Sequence, residues 1–452
     1  MCNDASVPLY TSILVFVLLS LIAIIYFLRN KLRRSRKYLA AWKQVVQVLK
    51  INVDYMQVNT AMPSVLSVRF PENFVLFTKS LNFVNVDFIS VTGASCFPGV
   101  NFTTSFFTMS LLPIFACLIG LWVYFRGKKV ISRQGNTEKE VKDVSHEMFI
   151  MIDQDHSGTL DEKEYSQLLR FEQKKEKIVE MNEEKFTERL MALDRPQLLS
   201  WWRNQRVTSQ ALNVAVQLFL LFHTPVTRKV FEYFNCHTVE VDYAFLKQDY
   251  SMQCFASEWN SFLPYVLLIA TSFTIGFPLF MGCYFYAYRS QLYSGQIQAR
   301  VGFLYSNYKK GSEGWEVHEI VRKMFLTGVI IYLQHRPALQ ASVAVMACGI
   351  SCCTLNFLQP QKNRVVFWLC QMSFLSTLFK FLSAIVLISS STSGERDSIG
   401  SLLIILDILF FVISVACLFG TLYVSLAKIN QMHRESKDRK VVPVKIVPSE
   451  GR

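Results

Sequence analysis

Apolar residues in this chain gather into long uncharged runs, and polar residues fall mainly between them. The run at 8–28 holds no charge and has about the 20 residues that a helix needs to cross a hydrocarbon core. A second clean run covers 105–125. Further runs lie near 207–234, 262–288, 318–333, 338–358, 365–388 and 399–423. Between the first two sits 38–62, which reads as a helix but is far more polar. The pattern predicts an all-α chain, a polytopic transmembrane helix bundle.

Charge placement orients the runs. Arg29, Lys31, Arg33, Arg34, Arg36 and Lys37 follow the first, and Arg126, Lys128, Lys129 and Arg133 follow the second. Lys and Arg mark the cytoplasmic side, so both runs go from outside to inside. A cleaved signal peptide would carry its base before the apolar run, not after it. Two crossings in one direction need a third between them, and 38–62 is the stretch available. Its Lys43, Gln47, Lys50, Asp54 and Gln57 recur at spacings of four and three and make one helical stripe. That stripe is expected to face a bundle interior or a water-filled cavity. The count is about nine spans, N-outside and C-inside. Acidic Glu240, Asp242, Asp249 and Glu258 fall in loops assigned outside. The expected parts are a first membrane part, 1–133, with an outer loop at 63–104; a cytosolic region, 134–206; a main membrane domain, 207–425; and a basic cytosolic tail, 426–452.

Composition sharpens this picture. The 452 residues are 51% hydrophobic but only 18% charged, against about 25% charged in soluble domains. That deficit excludes a disordered chain and an ordinary soluble enzyme. The net charge of +13 would suit nucleic acid, but its basic residues cluster beside the inner ends of the spans. The partner they imply is the lipid bilayer, and no nucleic acid is expected. The sequence holds no phosphate loop, nucleophile elbow or zinc spacing, so a non-enzyme is expected.

Residues 153–164 carry the clearest chemistry. Asp153, Asp155 and Ser157 supply oxygens at positions 1, 3 and 5 of a twelve-residue calcium loop. Thr159 supplies its backbone carbonyl at position 7, Asp161 acts through water at position 9, and Glu164 gives two oxygens at position 12. Gly158 permits the sharp turn, and Leu160 is the apolar residue at position 8. Apolar Val141, Val144, Met148, Phe149 and Ile152 share a face before the loop, and Tyr165, Leu168 and Leu169 follow it. The stretch resembles the EF-hand family over about 30 residues, one helix–loop–helix unit, and implies Ca2+ as the ligand. Hands usually pair. Either 180–191, which has acids but no turn glycine, is a degenerate partner, or two chains pair their single hands. A homo-oligomer is expected.

Other candidates are more scattered. Lys380 and Asp407 lie deep in apolar runs on either side of a short outer turn. Each costs about 2.5–3.5 kcal/mol in a bilayer when unpaired. At about 1.5 Å per residue both sit roughly 12–13 Å below that turn, so an antiparallel hairpin makes them an ion pair. Cys236 and Cys254 share one outer loop and are expected to form a disulfide. Cys2 and Cys96 are the other outer cysteines. Asn101-Phe102-Thr103 is a glycosylation sequon on Asn101. Trp315, Glu316, His318, Glu319, Arg322 and Lys323 read as an anchor at the inner membrane surface, with Glu319 pairing Arg322 or Lys323. His223 and Pro225 read as a kink.

Three stretches carry a wider resemblance: 223–236 continued by 243–254; Gly302–Tyr305 with 315–323; and Asn82, Asn85 and Asp87 with Cys96. They resemble the membrane domain of large multipass proteins often labelled TRP-like (transient receptor potential-like) in unicellular eukaryotes, over most of 40–425. Relatives often place a large outer domain before the first span, whereas seven residues stand there in this sequence. The EF-hand looks like an insertion. Together these imply control from the cytosol. The expected activity is a calcium-regulated cation channel. A calcium-regulated lipid scramblase or transporter, or a calcium-sensing scaffold, are the alternatives. Glu164→Gln removes the bidentate ligand and is expected to weaken calcium binding strongly. Calorimetry on the two proteins checks this, and an unchanged isotherm refutes the loop assignment.

Overall fold

The computed structural model describes residues 38–85, 101–131, 159–160, 181–182 and 195–439, except 241, 242, 294 and 391. The run at 8–28, Cys2, Cys96 and the loop ligands Asp153, Asp155, Ser157, Asp161 and Glu164 lie outside the described residues. In chain order the helices begin with α1 (Tyr38–Val65), α2 (Glu72–Ser80), α3 (Phe102–Ser110) and α4 (Leu112–Ile131). Two short strands follow, β1 (Thr159–Leu160) and β2 (Met181–Asn182), then α5 (Arg195–Tyr233). Next come β3 (Cys236–Glu240), β4 (Tyr243–Leu246), β5 (Asp249–Gln253) and α6 (Ser257–Ile269), which a π-helical turn, Ala270–Ile275, joins to α7 (Gly276–Ala287). The last are α8 (Gly295–Tyr305), α9 (Trp315–Thr327), α10 (Pro337–Leu358), α11 (Arg364–Ser389) and α12 (Ser393–Arg439).

The chain is mostly helical, and among the described residues five short strands add two small sheets. Among the described residues five helices are long and apolar enough to cross a membrane: Phe102–Lys129, Ser257–Ala287, Pro337–Leu358, Arg364–Ser389 and Ser393–Gly420. This is the composition of an integral multipass membrane protein. The expected crossings at 38–62 and 207–234 are helical yet too polar to qualify on composition. The expected crossing at 318–333 is a helix only to Thr327; past Gly328 it tightens into a 3-10 turn, Val329–Leu333. Large apolar side chains stay exposed along the qualifying helices, including Leu118, Leu121, Trp122, Phe125, Ile405, Leu409 and Val412. A water-soluble bundle would bury them; hydrocarbon would cover them here.

The chain divides into two compact units, Met1–Val100 with Phe325–Arg452, and Asn101–Met324. In the first, α1 packs against α11 and α12, and α10 packs on α11. Val48, Tyr55, Leu369 and Phe410 form the buried apolar centre of that contact. Where α1 ends, its free carbonyls need donors. Fully buried Gln340 of α10 supplies one to Val65 O at 2.9 Å, gives another to Ile330 O at 2.9 Å, and accepts from Ser67 N at 2.9 Å. Gly400 of α12 lies under α2, where a Cβ would come within 2.7 Å of Pro71 Cβ, so only glycine allows this approach.

In the second unit α4 packs along α5. Gly120 and Gly127 face Ala215 and Val207 there, the small-residue contact that lets membrane helices approach closely. Beyond the end of α5 the chain alternates strand and turn, giving an antiparallel sheet in the order β3-β4-β5. Cys236 and Cys254 form a disulfide across it, with Cα atoms 6.3 Å apart. Underneath, the Tyr233 and Trp259 rings stack at 4.9 Å, with Phe102 and Phe106 beside Tyr233. Asp249 ties the sheet to α3 by accepting from Phe102 N at 2.9 Å, a carboxylate set at a helix N-terminus. Burial pushes the Asp249 carboxyl up, but hydrogen bonds from the Ser251 hydroxyl and from the Phe102 and Ser251 amides outweigh it and hold the pKa below the ordinary value. The stability this carboxylate contributes is therefore present above the ordinary carboxylate pKa and lost as pH falls through the lowered one. Replacing both Cys236 and Cys254 by Ser opens a loop of 18 residues' separation and is expected to cost about 3 kcal/mol. Thermal melting of the purified protein with and without the bridge measures it.

Candidate functional site

The buried polar groups of the first unit converge where α1 meets α11 and α12. Lys380 is 0% exposed and Asp407 1% exposed, and the two form an ion pair through Asp407 Oδ1. The charge costs are met from α1. Tyr55 donates its hydroxyl proton to Asp407 Oδ1 at 2.8 Å. A hydroxyl has one proton, so Tyr55 accepts from Ser376 of α11 at 2.6 Å. Asn59 Nδ2 reaches the same Asp407 oxygen at 3.4 Å. The Lys380 ammonium also lies 4.9 Å from the Tyr55 ring centre and 5.9 Å from that of Phe74 on α2. Aromatic faces favour a desolvated cation.

All the donors gather on one carboxylate oxygen. Asp407 Oδ2 and Asn59 Oδ1 are buried with no hydrogen-bond partner among the described residues. One turn toward the start of α1, Asn52 donates to Ser414 of α12 and to Val48 O. Val48, Asn52, Tyr55 and Asn59 recur at spacings of four, three and four, so they form one face of α1. This seam alternates polar groups with the apolar centre around Val48 and Phe410, and it is set between helices whose outer faces are apolar.

The stripe read from the sequence is on the other side of the same helix, about 150° round its axis. Asp54 and Gln57 are buried, Lys50 is half-buried, and Gln47 donates to Gln361 Oε1 at 3.5 Å. The Lys43 side chain lies outside the described residues. Asn52, Tyr55 and Asn59 were not singled out by sequence reasoning. Their three-and-four spacing on an already polar helix was the available signal, together with an intramembrane carboxylate that needs several donors.

The other predicted residues fall elsewhere. Asn101 is exposed and caps α3, its Oδ1 accepting from Thr104 N at 3.1 Å. Glu319 pairs with Arg322 at 2.8 Å. The surface-anchor expectation for this motif needs correction: Trp315 is 3% exposed and Lys323 3%, because α9 turns these residues into the second unit, where Trp315 stacks on His318 at 4.5 Å. His223 is also buried, with Nε2 on Thr274 O at 3.1 Å, at the π-helical turn. Among the described residues no cluster of His, Cys, Asp and Glu has the make-up of a metal site. The chain matches no family model, no curated protein and no solved structure.

Breaking the ion pair from one side leaves a buried charge, at a cost of about 3–5 kcal/mol. Lys380→Asp alone and Asp407→Lys alone are each expected to reduce the yield of monodisperse protein. The double reversal is expected to recover part of it, as measured by size-exclusion chromatography and thermal melting.

Proposed function

We propose that this chain is a calcium-regulated cation channel of nine crossings, with its N-terminus outside, its C-terminus inside and a calcium-binding hand in the cytosol. The observation that carries the channel reading is the polar seam of α1 against α11 and α12. Five polar side chains there, Asn52, Tyr55, Asn59, Lys380 and Asp407, are held between helices whose outer faces are apolar. Intramembrane ionisable groups of this kind mark ion pathways and gates. The predicted stripe of Lys50, Asp54 and Gln57 lies on the other side of α1, so that helix is polar on two sides.

The calcium reading rests on the filled ligand positions of 153–164. The short strand β1 covers Thr159 and Leu160, which would be positions 7 and 8 of that loop, and supports the reading. Hands of the sensor class move their helices when calcium binds. Here the segment that follows leads into α5, a 39-residue helix. The resemblance to TRP-like membrane domains points the same way.

The test is electrical recording from the purified full-length protein in planar bilayers, with calcium or a chelator on the cytosolic side. The expected result is a cation current that depends on calcium and changes in Lys50→Gln and Asp54→Asn. Exchange of labelled lipid without selective current would make the protein a scramblase. Calcium binding with neither activity would leave a sensing scaffold.

A further inference from the structure

The polar groups of the seam differ in depth. Lys380 and Asp407 are buried, whereas Ser376 of α11 is half-buried. Hydroxyl groups connect the two levels. Ser376 Oγ lies 2.6 Å from the Tyr55 hydroxyl, and that hydroxyl lies 2.8 Å from Asp407 Oδ1. Since Tyr55 donates to the carboxylate, Ser376 donates to Tyr55, and both protons point toward Asp407. Oxygens at hydrogen-bond distance hand a proton along when each takes one and gives one.

The same groups suit a metal ion poorly. A hard cation such as calcium or magnesium needs about six oxygen ligands. In the seam the Lys380 ammonium holds Asp407 Oδ1, and the oxygens left are Asp407 Oδ2 and Asn59 Oδ1, both buried without a hydrogen-bond partner among the described residues. Two ligands are too few, and the ammonium repels a second cation beside it. Among the described residues the titratable groups in contact with Asp407 are Tyr55 from α1 and Lys380 from α11.

We propose that the seam carries protons, by way of Ser376, Tyr55 and Asp407. This rests on reading the seam as an ion pathway, and it names the cation. Tyr55 gives its hydroxyl proton to Asp407 Oδ1 as it takes the Ser376 proton, and hydronium at the half-buried end restores Ser376. At Ser376 and at Tyr55 one O–H bond breaks as another forms. The net change is one proton added to the carboxylate. The buried ammonium then lacks its counter-charge, which is costly, so the acid hands the proton on. The last torsion of an aspartate is two-fold, and a half turn moves the acid oxygen into the Oδ2 position, where no donor competes for it. Asn59, whose amide reaches this carboxyl at 3.4 Å, offers its unpartnered Oδ1 as the next acceptor.

The test places the full-length protein, with calcium present, in phosphatidylcholine liposomes that hold a pH-sensitive dye. A potassium gradient with valinomycin sets the voltage. Sodium current is recorded from the same preparation in planar bilayers. The wild type is expected to move protons with the voltage, and more slowly in heavy water. Tyr55→Phe keeps the ring against Lys380 and Phe410 and removes only the hydroxyl. It is expected to move protons roughly a hundred-fold more slowly while eluting like the wild type in size-exclusion chromatography. Ser376→Ala removes the entry hydroxyl and carries the same expectation if Tyr55→Phe does not assemble. Proton flux that these variants leave unchanged overturns the proposal. Sodium current without proton flux overturns it too, but leaves the seam a pathway for metal ions. Movement of neither ion overturns it together with the pathway reading.

Discussion

The first unit depends on one constraint: a lysine and an aspartate buried side by side with no access to water. Lys380 is fully buried between α11 and its neighbours, and Asp407 faces it from α12. Either charge alone would be expensive in such surroundings, and pairing them fixes the relative depth of the two helices. α1 must then bring its polar face to the same level, since the carboxylate needs donors beyond the ammonium. Tyr55 and Asn59 arrive there because they lie one helical turn apart. The ring of Tyr55 serves again as a face for the cation and as part of the apolar centre with Phe410.

The second unit solves a different problem. Its helices meet a compact module in which a disulfide, an aromatic stack and one carboxylate replace the large core that a short three-stranded sheet cannot build. Tyr233 is central to it, stacked on Trp259 and donating its hydroxyl to Trp259 O. The module thereby locks the end of α5 to the start of α6.

Much of this was legible in advance, for identifiable reasons. The ion pair followed from counting residues on either side of one short turn, because helical rise is constant and unpaired charge in hydrocarbon is costly. The disulfide followed from two cysteines in one short outer loop. The Trp315–Lys323 motif was misplaced, because an aromatic residue beside charges has the same composition whether it lies at a membrane surface or in a polar interior. Composition supports five of the expected crossings among the described residues, because periodicity predicts a helix but does not tell a polar spanning helix from one that stays at the surface.

The sequence by itself determined that the chain carries several helices long and apolar enough to cross a membrane, since run length and composition are local properties. Only the tertiary structure decided which face of α1 meets the buried charges. Two polar stripes on that helix lie about 150° apart, nearly half a turn, and either would suit a bundle interior on pattern alone. The face bearing Asn52, Tyr55 and Asn59 wins because it is the one that delivers donors to Asp407 and Ser414. The strand pairing of Leu160 with Met181, in the stretch 180–191 that the sequence offered as one of two partners, was likewise decided only there. Two-residue strands have no periodicity to read, and their partners are set by how the chain between them folds back.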